Sequence, residues 1–259
     1  MILAIDVGNT NIVLGGITDG KQVFSARLAS DRNKTEDQYA LDIQGILTMH
    51  GVKPGDIEGG ILSSVVPYLQ TIIPHAIRLL TGIDILVVGP GIRTGLNIRM
   101  DDPAAVGSDL IVTAVAARAK YPAPIAIIDM GTATTVSVVN ADGTYIGGMI
   151  IPGLWVSVNA LSARAAQLPY IDLSGPTKLF GTNTVDCMRS GAVIGCAAMM
   201  DGIIERMEEE LGQPVSAILT GGVSPLITPY CRHEFHLEPD LLIEGLRILY
   251  EKNKPGARR

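Results

Sequence analysis

Two short segments of the sequence combine a carboxylate with glycine and small polar residues in a pattern suited to phosphate binding. The segment 6–11 reads Asp-Val-Gly-Asn-Thr-Asn, and the segment 129–134 reads Asp-Met-Gly-Thr-Ala-Thr. Such turns present backbone N–H groups and hydroxyls to phosphate oxygens, and the carboxylate can hold a cation beside them. Asp, Asn, Gly and Thr also favour ordinary turns, so either segment alone could simply follow a strand.

A third turn strengthens the nucleotide interpretation. Thr220, Gly221 and Gly222 follow an apolar, strand-like run at 215–219. Two successive glycines let a base or a ribose approach the backbone closely, because no side chain intervenes. Taken together, the three turns predict that the chain binds a nucleotide, with ATP as the default choice.

Alternating strands and helices must position these turns. Apolar runs at 1–6, 12–17 and 23–28 predict a three-stranded meander, and Thr35 is placed to cap a helix that reaches Met49. A strand at 59–65, a helix at 68–80 and a strand at 84–88 continue the alternation. This order is typical of an α/β fold.

The two Asp-containing turns also share a longer sequence pattern. In each, an apolar strand ends in Asp, a turn containing Gly follows, and a second apolar strand begins. Self-similarity of this kind is expected of a duplicated lobe. The sequence therefore predicts two similar halves, each with one phosphate-binding turn.

Composition excludes several classes of function. The net charge of −6 and the pI near 5.2 disfavour nucleic acid as the partner. Three cysteines are too few for a disulfide framework, so we expect a reducing, cytoplasmic location. Because Asp84, Asp109 and Asp129 interrupt the most apolar stretches, we expect no membrane span, and the opening apolar run around Asp6 predicts a strand rather than a signal peptide.

Seven motifs occur in an order and at spacings that resemble those of type III pantothenate kinases. They include the two Asp-containing turns and the run 147–153, which reads Gly-Gly-Met-Ile-Ile-Pro-Gly. The others are Gly91-Ile92-Arg93-Thr94-Gly95-Leu96, Gly107-Ser108-Asp109, Gly181-Thr182-Asn183-Thr184 and Thr220-Gly221-Gly222. Each motif alone is weak, but the ordered set extends the resemblance from Asp6 to about Leu249.

The resemblance implies an α/β fold of two duplicated actin-like, ribonuclease H-like lobes, each a mixed five-stranded sheet with flanking helices. We therefore expect an N-terminal lobe at 1–116, a C-terminal lobe at 117–250 and a flexible tail at 251–259. The resemblance also implies a homodimer that uses ATP to phosphorylate pantothenate to 4′-phosphopantothenate, the first step of coenzyme A biosynthesis. Mg²⁺ and a monovalent cation, K⁺ or NH₄⁺, would be its cofactors.

Carried over residue by residue, the family's roles assign the first turn and the start of the next strand to ATP. The positions concerned are Asp6, Val7, Gly8, Asn9, Thr10, Asn11, Ile12, Val13 and Thr132, to which the glycine-rich turn adds Gly221 and Gly222. Asp6 would also hold Mg²⁺ through the phosphates. Asp129 would bind the monovalent cation.

On the same basis, Asp109 would accept the proton of the pantothenate hydroxyl. The substrate-binding positions would be Met100, Gly107, Ser108, Asp109, Leu110 and Thr184. A carboxylate beside a primary hydroxyl can take its proton as the phosphoryl group arrives. Without the resemblance, Asp109 would be read as a carboxylate in the first turn of a helix at 108–120, stabilised by the helix dipole.

Two positions on the substrate side depart from the family pattern. Leu110 stands where the family usually has Arg, and Met100 stands where it usually has Tyr. Arg is a natural partner for an anionic or polar substrate, whereas Leu offers no hydrogen-bond donor. Either Arg93 or Arg99 supplies the missing donor, or the substrate is handled differently.

These departures leave two alternatives to pantothenate kinase activity. One is a kinase of the same superfamily that acts on another small acceptor, which a substrate panel would reveal. The other is a nucleotide-binding paralogue with a non-catalytic or regulatory role. The carboxylate at Asp109 argues against that second alternative, since a chain freed from catalysis has no evident need for it.

Overall fold

The computed structural model describes residues 1–175 and 178–257. The chain forms two compact units, each built on one mixed β-sheet with flanking helices. The first unit comprises Met1–Leu96, Asp101–Ala116 and the chain from Leu241 onward. The second comprises Asn97–Met100 and Ala117–Asp240.

The elements follow one another in the alternating order expected of an α/β chain. The strands are β1 (Ile2–Val7), β2 (Asn11–Thr18), β3 (Lys21–Ala29), β4 (Gly59–Ser64), β5 (Leu86–Val87), β6 (Asn97–Ile98), β7 (Ile125–Met130), β8 (Ala133–Val139), β9 (Thr144–Pro152), β10 (Ser216–Thr220) and β11 (His236–Leu237). The α-helices are α1 (Glu36–Met49), α2 (Leu69–Thr81), α3 (Ser108–Lys120), α4 (Leu154–Arg164), α5 (Thr184–Leu211), α6 (Ser224–Ile227) and α7 (Leu241–Asn253).

The sheet of the first unit has the strand order β3-β2-β1-β4-β5. The predicted meander is confirmed, since β1 pairs antiparallel with β2 and β2 with β3, while β4 lies parallel to β1. Every second residue of β1, at Leu3, Ile5 and Val7, is buried in a core shared with α1 and α2. The alternation along β1 therefore places one face of the sheet under two helices.

Helix α1 begins where the sequence predicts. Thr35 is its N-cap, and its hydroxyl accepts a hydrogen bond from the backbone N–H of Gln38 at 3.4 Å. In return, the side-chain oxygen of Gln38 accepts the N–H of Thr35 at 2.9 Å. This reciprocal pair satisfies two of the N–H groups that a helix start leaves without partners.

The last helix corrects the predicted lobe boundaries. We expected 117–250 to belong to the second lobe, but α7 packs on β1 and β4 of the first unit. Gly15 and Gly59 permit this approach, because a Cβ at either position would collide with Ile243 or Tyr250 of α7. The chain thus returns to the first unit, a pairing that local sequence patterns do not encode.

The predicted flexible tail at 251–259 is also partly wrong. Helix α7 continues to Asn253, whose side chain donates to the carbonyl of Arg93 at 3.0 Å and accepts the N–H of Arg93 at 2.9 Å. Lys252 donates to the carbonyl of Thr94 at 2.8 Å. Residues 258 and 259 of the predicted tail lie outside the described part of the chain.

The second unit repeats the sheet of the first with one addition. Strands β7, β8 and β9 form an antiparallel meander, and β10 lies parallel to β7. The strand order is β11-β10-β7-β8-β9-β6, so this sheet has six strands rather than the five expected. The extra strand is the two-residue β6, which runs parallel to the start of β9 at Thr144 and Tyr145.

The duplication inferred from the sequence is visible in the registers. Asp6 occupies the fifth position of the six-residue strand β1, and Asp129 the fifth position of the six-residue strand β7. Asp6 is paired with Ser63 of β4, and Asp129 with Thr220 of β10. Each unit therefore carries its carboxylate at the same place in an equivalent sheet.

Helix α5 is the one described helix that is long and apolar enough, by length and composition, to cross a membrane. Of its 18-residue apolar window, 44% is buried inside the protein. Val193, Ala197, Met200 and Ile204 pack into the core of the second unit. A buried core helix meets the same criteria, so this finding is weak evidence for a membrane span.

Candidate active site

The first turn, between β1 and β2, is tightly fixed by its own backbone and by the residue that follows β3. The N–H of Gly8 donates to the carbonyl of Asn11 at 3.0 Å. Ser30 donates its hydroxyl to the carbonyl of Gly8 at 2.6 Å and its N–H to the carbonyl of Thr10 at 3.0 Å. Asn9, Thr10 and Asn11 are exposed on this fixed frame, as a phosphate-binding turn requires.

The remaining predicted ATP residues of this segment differ in burial. Val7 and Ile12 are fully buried in the core, so only their backbone groups could meet a nucleotide. Asp6 and Val13 are half-buried at the same end of the sheet. The turn therefore offers one carboxylate and a run of backbone groups, which is the donor set that Mg²⁺ with bound phosphates needs.

The parallel pairing of β7 and β10 brings Asp129 and Gly221 together. Gly221 follows β10 with a φ of +88°. A Cβ at Gly221 would lie 2.5 Å from Oδ1 of Asp129 and 2.6 Å from the N of Met130. Glycine is therefore required at position 221 for two reasons: the backbone has a positive φ, and the carboxylate of Asp129 leaves no room for a Cβ.

Thr132 lies on a turn built like the first one. The N–H of Gly131 donates to the carbonyl of Ala133 at 3.0 Å, as Gly8 does to Asn11. Gly153 lies directly against this turn, since a Cβ there would be 2.7 Å from the carbonyl oxygen of Gly131 and would also overlap that of Thr132. Thr132 is exposed on the turn.

Asp109 is a half-buried carboxylate in the first turn of α3. Burial raises the pKa of its carboxyl above the ordinary value, and a hydrogen bond from the N–H of Leu110 to Oδ1 at 2.9 Å partly offsets that rise. Gly107 leaves the room that the side chain occupies, because a Cβ there would meet Oδ1 of Asp109. A carboxylate whose pKa is raised in this way is a better proton acceptor.

Ser108 anchors the start of α3 to the end of β4. Its Oγ lies 2.9 Å from Oγ of Ser63, 3.1 Å from the backbone N of Ser64 and 3.2 Å from the carbonyl oxygen of Ser64. Ser63 is in turn paired with Asp6 across the sheet. Within the first unit, the segment Gly107–Leu110 is thus joined to the strand beside Asp6.

The other predicted substrate residues lie in the second unit. Met100 follows β6 and is 38% exposed, and its sulfur lies beside Gly147 of β9. Thr184 is exposed as the first residue of α5, after the N-cap Asn183. Gly222, a predicted ATP residue, is exposed beside Gly221.

Comparison with known proteins decides the family. The family model for type III pantothenate kinases matches residues 2–206. The chain belongs to the type III pantothenate kinase family. Over 253 residues it is 43% identical to a type III pantothenate kinase of Moorella thermoacetica, an alignment that covers 98% of this chain and all of the relative.

A further relative agrees with the assignment to the pantothenate kinase family, and a solved structure has a similar fold. A type III pantothenate kinase of Bacillus cytotoxicus is 44% identical, with 98% of this chain and 97% of the relative covered. Among solved structures, a Baf family transcriptional activator from Campylobacter jejuni has a TM-score of 0.59 at 17% identity, covering 97% of this chain and 98% of that one.

A sugar kinase has a similar fold. The 2-dehydro-3-deoxygalactonokinase protein from Sinorhizobium meliloti has a TM-score of 0.58 at 13% identity, covering all of this chain and 99% of that one. These structural likenesses concern the fold alone, and they confirm the predicted actin-like class.

One of the two arginines considered as substitutes for the usual family Arg is engaged elsewhere. The guanidinium of Arg93 donates to the carbonyl of Lys252. Leu110 is half-buried in the first turn of α3.

Sequence reasoning missed the contacts of two residues, Ser63 in the first unit and Gly153 in the second. Ser63 was read only as part of a strand, although its hydroxyl contacts Ser108. Gly153 was noted within a motif without its packing on Gly131 and Thr132. A hydroxyl in an otherwise apolar strand was the available signal for Ser63, whereas the contact of Gly153 depends on tertiary structure.

Proposed function

We propose that the chain phosphorylates the primary hydroxyl of pantothenate with ATP, which yields 4′-phosphopantothenate in the first step of coenzyme A biosynthesis. The full-length similarity to curated type III pantothenate kinases carries this proposal. Two features of the structure support it: Asp6 and Asp129 occupy equivalent positions in β1 and β7, and Asp109 lies at the start of α3.

Asp109 would act as the proton acceptor. As the hydroxyl oxygen of pantothenate attacks the γ-phosphorus, the bond from that phosphorus to the β,γ-bridging oxygen breaks and ADP leaves. The hydroxyl proton passes to the carboxylate, whose pKa burial has raised. Because the transition state is loose, placing this carboxylate correctly contributes more than its basicity.

The ATP phosphates would be held by the turn between β1 and β2. Asn9, Thr10 and Asn11 are exposed there. In the second unit, we assign nucleotide contacts to Thr132, on the turn between β7 and β8, and to Gly221 and Gly222, after β10. Mg²⁺ would bind through the phosphates and Asp6. This arrangement agrees with the preference of Mg²⁺ for one or two carboxylates together with substrate oxygens.

A monovalent cation, K⁺ or NH₄⁺, would bind at Asp129. Gly221 lets the backbone after β10 lie against the Asp129 carboxylate, because a Cβ there would come within 2.5 Å of Oδ1. A carboxylate held in this way supplies oxygen ligands, which hard cations prefer.

The pantothenate site would include Met100, Gly107, Ser108, Leu110 and Thr184 together with Asp109. Leu110 gives this site an apolar side chain where the family usually has an arginine. Pantothenate would therefore be held there more by packing and by backbone groups. We expect the Michaelis constant for pantothenate to report this difference.

The enzyme would work as a homodimer in the cytoplasm. Ile150 of β9 is 80% exposed and Trp155 of α4 is 43% exposed, which is the kind of apolar surface that a second subunit covers. The three cysteines are free, and a cytoplasmic location would keep their thiols reduced. Light scattering on the purified protein would give the oligomeric state.

Product identification tests the proposed function. The purified protein is incubated with ATP and Mg²⁺ and, in separate reactions, with pantothenate and a panel of small alcohols and sugars, and the products are analysed by mass spectrometry. Transfer of one phosphoryl group to pantothenate is expected. Phosphorylation of another acceptor alone, or of none, would contradict the proposal.

A further inference from the structure

Ser63 is a polar residue buried in a strand where an apolar one would be expected. Its side chain is 0% exposed, and it follows the fully buried Ile61 and Leu62 in β4. Burying a hydroxyl is unfavourable unless it is hydrogen-bonded. Its described partner is Oγ of Ser108, at 2.9 Å.

The hydrogen bonds around Ser108 determine the direction of this contact. A hydroxyl has one donor hydrogen and two acceptor positions. The Oγ of Ser108 accepts the N–H of Ser64 at 3.1 Å and donates to the carbonyl of Ser64 at 3.2 Å. Its second acceptor position is then filled by the hydroxyl of Ser63, which donates, so the three bonds use the full capacity of Ser108.

This small network joins two parts of the proposed reaction centre. On one side, Ser63 is paired with Asp6 across the parallel strands β4 and β1. On the other side, Ser108 directly precedes Asp109 at the start of α3. The strand that carries the metal-binding carboxylate and the helix that carries the proton acceptor are therefore linked through one buried pair of hydroxyls.

We propose that Ser63 is a positioning residue for phosphoryl transfer: through Ser108, it holds the start of α3 at a fixed place against β4 and so sets Asp109 relative to Asp6. Ser63 touches no substrate in this account. The inference rests on the proposed function, because it takes pantothenate phosphorylation as the measured reaction and gives Asp6 and Asp109 the roles proposed above.

The position of Asp109 matters because the protein forms no covalent bond to the phosphoryl group and accelerates its transfer mainly by placing the reacting groups. A misplacement of about 1 Å can lower the rate of an enzyme by about 100-fold. In Ser63→Ala, the two hydrogen bonds between Ser108 and Ser64 persist, so α3 stays attached but is less firmly placed. We expect kcat to fall by about tenfold, with the Michaelis constant for ATP changed by less than about twofold.

The chain offers a matched control at the next residue. Among the described residues, the hydroxyl of Ser64 bonds only to the N–H and the carbonyl of Val66, whereas the backbone of Ser64 makes the contacts with Ser108. Ser64→Ala should therefore keep kcat within about twofold of the wild type. A second comparison uses Ser108→Ala alone and combined with Ser63→Ala. If Ser63 acts through Ser108, the double variant should be no slower than Ser108→Ala.

A titration of Asp109 separates positioning from a loss of stability. We would follow the carboxyl carbon of Asp109 by NMR in the wild type and in Ser63→Ala, with Asp109→Asn to assign the signal. A looser α3 lets water reach this carboxyl, so its pKa should fall toward the ordinary value, whereas a uniform loss of folded protein would not move it.

Different results would contradict the role of Ser63 and the proposed function. An unchanged pKa of Asp109 together with an unchanged kcat in Ser63→Ala, or an additional loss in the double variant, would overturn the inference. A wild-type protein that does not phosphorylate pantothenate would contradict the proposed function instead, and the NMR comparison would still decide the role of Ser63.

Discussion

Asp129 and Gly221 lie so close together that Gly221 has no room for a side chain. A Cβ at Gly221 would be 2.5 Å from Oδ1 of Asp129, and the backbone there has a φ of +88°. The contact follows from the register of the second sheet, in which Asp129 is paired with Thr220, the residue before the glycine. The position of the Asp129 carboxylate and the conformation of the glycine-rich turn therefore depend on each other.

The first prediction concerns this contact. Gly221→Ala should destabilise the protein by about 2 kcal/mol and impair cation stimulation, because alanine both strains a positive φ and collides with Asp129. Gly212→Ala is the matched control, since Gly212 has a φ of +67° but no atom within 4 Å of the place that an alanine methyl would occupy. Urea unfolding should show the larger loss for Gly221→Ala, and equal losses would contradict the steric argument.

The second prediction tests the cation site directly. Asp129→Ala should remove most of the stimulation of turnover by K⁺, because the proposed carboxylate ligand is lost. Turnover is measured across a K⁺ series at fixed ATP and Mg²⁺, with Asp142→Ala as an exposed carboxylate control in the same unit. An unaltered K⁺ dependence in Asp129→Ala would place the cation elsewhere.

The third prediction concerns the proton acceptor. Asp109→Asn should lower kcat by about 100-fold or more, since a general base typically contributes about 10²–10⁴-fold. ATP affinity, measured by calorimetry, should stay within about twofold because the turn between β1 and β2 is untouched. Turnover equal to that of the wild type would eliminate Asp109 as the base.

The fourth prediction follows from the raised pKa of Asp109. Because burial favours the protonated form, the folded state holds this proton more tightly than the unfolded state, whose pKa is near 3.8. Below pH 3.8 the carboxyl of Asp109 is protonated in both the folded and the unfolded state. As the pH rises through the pKa of the folded state, the buried carboxyl becomes charged, and the free energy of unfolding has by then decreased. Asp109→Asn should therefore be more stable than the wild type at about pH 7, with a smaller difference at about pH 4. Urea unfolding of both proteins at the two pH values checks this, and a variant less stable than the wild type at neutral pH would contradict the sign.

The fifth prediction concerns the C-terminal helix. Asn253→Ala removes two hydrogen bonds to the backbone of Arg93 and should destabilise the protein by about 1–2 kcal/mol. Lys254→Ala is the control, because its ion pair with Glu251 lies on the surface and such pairs contribute little. Thermal melting of the two variants should separate them clearly, and similar melting temperatures would count against the anchoring role of Asn253.

Much of the fold follows from local patterns. The apolar run that forms β1 and the cap at Thr35 are set by neighbouring residues, so the sequence predicts them well. The equivalence of Asp6 and Asp129 was also visible in the sequence, because each follows an apolar run and precedes a turn that contains glycine. These features need no knowledge of distant contacts.

Other features depend on distant contacts and could not be predicted. The return of α7 to the first unit depends on the glycines at 15 and 59, which read as ordinary strand residues. The edge strand β6 has only two residues, too few for a periodic signal. The link from Ser63 to Ser108 joins residues far apart in sequence, and the resemblance to the family did not include it.

The most direct test of the account is a coupled ADP-release assay with purified protein, ATP, Mg²⁺ and pantothenate, run with and without added K⁺. ADP release that depends on pantothenate and rises with K⁺ is the predicted result, and it would show that Leu110 and Met100 are compatible with the activity of the family. Binding of ATP without pantothenate-dependent ADP release would contradict the account.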